Sequence, residues 1–307
     1  MKYVKQEVLE FTSSNITQTY PDYDETITYI YEDDTTLTSA STVRYGGYYW
    51  RSLTAGNLGN NPIETENIYW VRHSVSNTYA MLDQKSLTKT SSSGSPIIVE
   101  FMRGNIDTIG LGYLKTNIVT IEHLDNSDVV IDAVTQSIEF GLSETVYDLW
   151  SYIYDEYSSD IDRSMRFNIA PVGRKIRVTI TPQYGNIAEC GFLIGGQSIN
   201  MGCTLDKVKF SFNSFSVGKP DAFGNLDIIR RSVQDLVDFQ TIIDRESLPN
   251  TRRSIKSIYD EIVLFIVDDS ESEEQEHMLT LGKIQNASAV GQMSTKNVIA
   301  WSIMESI

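Results

Sequence analysis

Along most of this chain apolar and polar side chains alternate at a period of two, and the apolar members are β-branched or aromatic. The stretches "TITYIYE" from Thr26, "NIVTIEH" from Asn117, "KIRVTITP" from Lys175, "KVKFSFNSFSV" from Lys207 and "EIVLFIVDD" from Glu261 show it, some as strict alternation and some as short apolar runs. Alternation sends one set of side chains to one face of a pleated strand, and each stretch is closed by Gly, Asn, Asp, Pro or Ser, the residues that favour turns. The pattern predicts many short strands arranged as sandwiches or small barrels. A spacing of three and four appears in two places. Ile228 to Arg245, "IIRRSVQDLVDFQTIIDR", sets Val233, Leu236, Val237, Phe239, Ile242 and Ile243 at helical intervals, and "LPN" at Leu248 to Asn250 is expected to stop that helix. Glu144 to Tyr157, "ETVYDLWSYIYDEY", reads either as a shorter helix or as an aromatic strand and loop.

Three regions follow. Residues 1–90 form an amino-terminal arm and a small aromatic β-module, ending in the Ser-rich linker "KTSSSGSP" from Lys89 to Pro96. Residues 97–217 read as a β-sandwich interrupted by "WSYIYDEYSSD", and 218–307 as an α+β domain entered through the turn "GKPDAFGN". The predicted fold class is mainly β: a small aromatic β-module, a β-sandwich domain, and a carboxy-terminal α+β domain with one helix on an antiparallel sheet.

Charge narrows the partners. The 307 residues carry 41 acidic against 25 basic side chains, a formal charge of −16. Such a surface repels nucleic acid and anionic membranes, whose affinity for proteins comes largely from cationic contacts. No apolar run approaches the roughly 18–20 residues of a membrane helix, and the opening "MKYVKQEVLEFTSSN" lacks the apolar core of a signal peptide. The expectation is a soluble product assembled in the cytoplasm, with no nucleic acid and no membrane insertion. The two cysteines, Cys190 and Cys203, have no metal-ligand spacing; Cys190, inside "ECGFLIGG", reads as a small buried hydrophobe, and a bridge to Cys203 is left open.

Candidate chemistry is sparse. The chain has no phosphate-cradling loop, nucleophile elbow, metalloprotease helix or dinucleotide fingerprint. His73, His123 and His277 fall one per region and read as surface or strand-end residues; no catalytic site, metal or cofactor is expected. The acidic run "DDSESEEQEH" from Asp268 to His277 reads as a solvated hairpin loop and lacks calcium-loop spacing. Asp155 and Glu156, between Tyr154 and Tyr157, are the most suggestive carboxylate pair for glycoside hydrolysis, a minority reading.

The densest aromatic cluster lies in "GGYYWRSLTAGNLGNNPIETENIYW", Gly46 to Trp70. Its glycines, asparagines and proline allow tight turns that bring Trp50 and Trp70 together. Exposed, with Tyr49, Asn60 and Tyr69 beside them, the two indoles would stack on sugar rings; buried, they would be the core of a unit too small to have another.

Trp50, Ser52, Leu53, Asn57, Gly59, Asn60, Pro62, Tyr69 and Trp70 resemble the W-x-S-L…N-x-G-N-x-P…YW module of chitinase-type carbohydrate-binding domains, which recurs in structural proteins of tailed bacteriophages. The segments "GNIDTIGLGYL" from Gly104, "AECGFLIGGQSINMG" from Ala188 and "SFSVGKPDAFGNLDIIRR" from Ser214 are similar to phage virion proteins in which that module precedes two β-rich domains. The resemblance implies a non-enzymatic virion protein: a sheath, collar, baseplate or fibre-adaptor subunit that associates with itself and with other tail or neck proteins. The alternative it implies is a receptor-binding tail protein that recognises host surface glycan through Tyr49, Trp50, Asn60, Tyr69 and Trp70.

Overall fold

The structure, a computed structural model, describes residues 1–9, 11–31, 42–116, 118–137, 163–182, 187–205, 207–220, 226–267, 278–290 and 296–307. The chain is mainly β, its strands pairing in antiparallel sheets, with one α-helix, α1 (Leu248–Ile258), among the described residues.

Five strands form one sheet in the order β10 (Val130–Ser137), β9 (Ile118–Leu124), β12 (Lys175–Thr181), β7 (Ile97–Met102) and β2 (Phe11–Ser14). The alternation in "KIRVTIT" decides its faces: Ile176, Val178 and Ile180 are fully buried, while Lys175, Arg177 and Thr179 take the opposite side. There Arg177 lies across from Glu100 and Glu122 and binds them at 2.7 and 3.0 Å. The buried face packs against a three-stranded sheet, β11 (Arg163–Asn168), β8 (Thr108–Leu114) and β14 (Phe192–Gly196), which adds Ile109, Leu111 and Leu193 to a shared core. This pairing of sheets is a β-sandwich.

The three-stranded sheet is a middle layer, which is why β14 is buried along its whole length. Leu193 belongs to the sandwich core; Phe192 and Ile194 belong to a second core with Val4, Leu264, Ile266 and Leu281. The second core comes from the largest sheet, ordered β15 (Ser198–Asn200), β1 (Lys2–Val4), β21 (Val263–Ile266), β22 (Leu279–Val290), β23 (Lys296–Glu305), β20 (Val233–Asp244) and β16 (Cys203–Thr204), with β17 (Lys209–Ser214) also on β20. The layers approach closely: a Cβ at Gly110 would overlap the Leu264 side chain, so only glycine fits. The other face of the large sheet contributes Phe239, Phe265 and Trp301 to a third core, on which α1 lays Leu248, Ile255 and Ile258.

Several expectations are corrected. Residues 228–245 are not a helix; they run from β19 (Leu226–Ile229) into β20, a strand twelve residues long. Apolar residues three and four apart there also satisfy a period of two. Val237, Phe239, Thr241 and Ile243 share the buried face, and β20 has partners on both edges, β23 on one and β17 and β16 on the other. The helix begins where a stop was expected, because Pro249 occupies its first turn, where a missing N–H costs nothing.

Among the described residues of "TITYIYE", 26–31, there is no strand; Tyr29 alone bridges to Asn57. The Ser-rich linker is instead strand β6 (Thr90–Ser93), paired with β13 (Ile187–Cys190). Thr90 is buried there with its hydroxyl satisfied, donating to the Asn77 carbonyl and accepting from the Met81 N–H. The amino-terminal arm divides itself between other sheets, as β1 in the largest and β2 in the sandwich. "GKPDAFGN" starts inside β18 (Val217–Pro220), which pairs with β19. The readings on residues 144–161 and 268–277 lie outside the described residues.

Candidate functional site

The aromatic module is built on a three-stranded sheet, β3 (Thr42–Tyr45), β4 (Tyr48–Ser52) and β5 (Trp70–Val75). Gly46 and Gly47, both at positive φ, make the two-residue turn that joins β3 to β4, a signal readable as "YGGY" between strands. Trp50 lies opposite Val43, and Trp70 opposite Ser52. Both indoles are 0% exposed and form a core with Tyr29 and Val43. Tyr29 and Tyr23 meet the Trp70 ring edge-on at 5.1 and 5.9 Å between centroids, the arrangement favoured by ring quadrupoles.

A buried indole N–H needs an acceptor, and the motif supplies one for each. Trp50 donates to the Tyr45 carbonyl at 2.9 Å, and Trp70 to the Asn60 carbonyl at 2.8 Å. Asn57, 2% exposed, is the hub of the connecting loop. Its amide nitrogen donates to Ser52 Oγ and to the Tyr69 carbonyl, and its amide oxygen accepts from Asn60 Nδ2 at 2.7 Å. Ser52 in turn donates to the Thr54 carbonyl, and the Leu53 N–H to the Tyr69 carbonyl. The residues of the motif therefore form one lattice in which polar side chains hold the loop and two tryptophans fill it.

The five sequence-derived candidates fall into different places. Tyr49 is buried on the other side of β4, where its hydroxyl donates to Gln18 Oε1 and accepts from the Thr19 N–H, tying the module to the incoming chain. Asn60 is half-buried and works within the lattice. Tyr69 contributes its carbonyl, and its ring alone among the candidate rings is exposed, at 38%. Trp50 and Trp70 present no accessible face for a sugar.

The structure adds a residue that sequence reading missed. Arg72 lies opposite Trp50 in the ladder and holds its guanidinium 4.3 Å from the Tyr48 ring centroid and 5.4 Å from that of Trp50. Glu66 binds it at 3.2 Å from the far side. A cation already takes the position over these rings that a stacked sugar would need. The alternation of "WVRHS" carries the signal, because it sends Trp70 and Arg72 to the same side of β5.

Elsewhere, an open groove of about 580 Å³ runs over the large sheet, lined by Asp238, Gln240, Asn286, Ser288, Ala300 and Ser302 among others. It is remote in sequence from the aromatic motif. His73 is exposed; His123, read as a surface or strand-end residue, lies at the end of β9 but is 0% exposed, with neither ring nitrogen hydrogen-bonded. Cys190 is buried and its thiol is pushed up to about 12 by desolvation; it and the exposed Cys203 are both free. No group of three or more His, Cys, Asp or Glu placed to hold a metal occurs among the described residues. Set against protein-family models, curated proteins and solved structures, this chain matches none of them.

Proposed function

We propose that this protein is a structural subunit of a bacteriophage tail, a sheath, collar, baseplate or fibre-adaptor component, assembled in the host cytoplasm and present in several copies alongside other tail or neck proteins. The observation that carries this reading is how the module uses its tryptophans. A module of this pattern serves either sugars or architecture, and here both indoles are enclosed, each N–H is committed to a backbone carbonyl, and Arg72 covers the neighbouring rings. That favours the architectural use. The test is mass spectrometry and cryo-electron microscopy of virions from the phage that encodes the chain. Repeated copies on the tail are expected; virions without the protein would overturn the proposal.

One observation favours a second reading, recognition of host glycan: the Tyr69 ring is exposed in the loop next to Ile68, which is also exposed. It predicts binding on an array of host surface glycans that a Tyr69→Ala variant loses while its melting temperature is kept. No binding by the parent protein removes this alternative.

A further inference from the structure

Strands β17 to β20 form a single ribbon. The ladder runs from Lys209 opposite Asp238 to Ser214 opposite Val233 and continues through the Phe215 N–H to the Ser232 carbonyl. It resumes as Val217 opposite Ile229 and ends at Pro220 opposite Leu226. At about 3.3 Å per residue, the limb from Lys209 to Pro220 is roughly 40 Å long. Strand β23 flanks β20 only from Leu236 onward, so beyond Val233 the ribbon stands as two strands among the described residues.

A lone two-stranded hairpin is at best marginally stable in water, and this one is unusually apolar. Phe210, Phe212, Phe215, Ile228, Ile229 and Val233 are all exposed, Phe212 at 70%. Phe210 lies opposite Val237, which the third core buries, so the apolar row of that core continues outward onto the arm through Phe212. Exposed apolar surface of this extent marks an interaction site.

Charge identifies the occupant. The sequence of the free-standing part, 214–233, holds Lys219, Arg230 and Arg231 against Asp221 and Asp227, while at the root Lys209 faces Asp238 at 3.9 Å, in a chain whose formal charge is −16. A cationic arm on an acidic body is drawn to another acidic body. The matching surface on this chain is β10 and the turn before it. Val129, Val130, Ile131 and Val134 are exposed there beside Asp125, Asp128 and Asp132; Lys175 of β12 binds Asp128 at 2.5 Å, and residues 118–137 themselves contain no Lys or Arg. Among the described residues β10 pairs only with β9, and it carries a bulge between Val130 and Asp132. The Asp132 carboxylate accepts the Ala133 N–H, a device that discourages backbone pairing at an edge, so a partner would meet β10 through its side chains.

We infer that the β17–β20 arm of one copy packs on the apolar, acidic β10 surface of a second copy, a head-to-tail contact that generates a ring or a helical stack. The inference rests on the multi-copy reading above and names its contact. The test is sedimentation velocity of the full chain over a concentration series, with circular dichroism to confirm folding. The wild type is expected to self-associate more weakly as salt rises. The double variants Phe210→Ser with Phe212→Ser, and Arg230→Glu with Arg231→Glu, each weaken association at least tenfold, and Asp132→Arg restores much of the loss in the charge variant.

Association unchanged by both double variants would overturn the arm contact while leaving the multi-copy reading intact. Loss without any rescue by Asp132→Arg would overturn β10 as the acceptor. A wild type that stays monomeric at every concentration would overturn the inference, with the presence of the protein in virions then decided separately by mass spectrometry.

Discussion

The aromatic module and the β17–β20 arm are both antiparallel hairpins rich in rings, and they turn those rings in opposite directions. In the module Trp50 and Trp70 point inward beside a lattice of Asn57, Asn60 and Ser52, and each indole N–H finds a backbone carbonyl. Among the described residues the arm has no such lattice. Its nearest buried polar cluster is at its root, where Glu305 accepts the Asp235 N–H and the Tyr113 hydroxyl. An aromatic hairpin closes on itself when its own loop can cap its rings and its backbone; when it cannot, the rings stay outside and need a neighbour.

The comparison is broken most severely by removing a module ring. Trp50→Ala should cost about 3–5 kcal/mol in urea unfolding, since it deletes a fully buried side chain and leaves a cavity. A loss below about 1 kcal/mol would mean that the indole is not the core. Asn57→Ala should cost about 1–3 kcal/mol, because it strands Asn60 Nδ2 and Ser52 Oγ and leaves the Tyr69 carbonyl with the Leu53 N–H alone, without removing a ring. A near-neutral result would show that the lattice is dispensable.

The next effect distinguishes a neutral lattice from an ionisable root. Burial raises the Glu305 carboxyl above the ordinary range, with Asp235 adding to the rise and hydrogen bonds from Tyr113 and Asp235 opposing it. Because the folded value is the higher one, its stabilising contribution is full below the ordinary carboxylate pKa and is lost as pH rises through the folded value. Unfolding free energies measured across mildly acidic pH should show this loss, and Glu305→Gln should flatten it. An unchanged slope in that variant would remove Glu305 as its source. The smallest change is expected in the arm itself, where Phe212→Ser should alter the stability of the isolated chain by no more than about 0.5 kcal/mol. A larger loss would place that ring in the fold of a single copy.

The sandwich and the large sheet were legible wherever alternation was strict. "NIVTIEH" and "KIRVTIT" became β9 and β12 with the faces their pattern assigns. Legibility failed where one string satisfies two periods. Residues 233–244 fit a helix by spacing, yet hydrogen-bonding partners far away in sequence, at 296–304 and 209–214, decide for a strand. Pro249 was misread for a local reason, since proline ends a helix from inside but begins one from its first turn. The Ser-rich run at 90–93 has no apolar signature, and only the presence of β13 makes it a strand. In the module the motif residues were legible and their inward direction was not, because burial of Trp50 and Trp70 depends on Tyr23 and Tyr29, which arrive from outside the motif.

The position of β1 has a consequence for how the protein comes into being. Lys2, Tyr3 and Val4 pair with Asn200, Ile199 and Ser198 on one edge and with Ile266, Phe265 and Leu264 on the other, so β1 closes only with strands far along the sequence. On a ribosome the sandwich has both of its sheets once about residue 196 has emerged. Pairing with β15 needs only about the first 200 residues, whereas the second edge of β1 stays open until β21 has been made. Such long-range closure is slow in proteins of high contact order, and a chain halted before residue 263 would leave the β21 edge of β1 open.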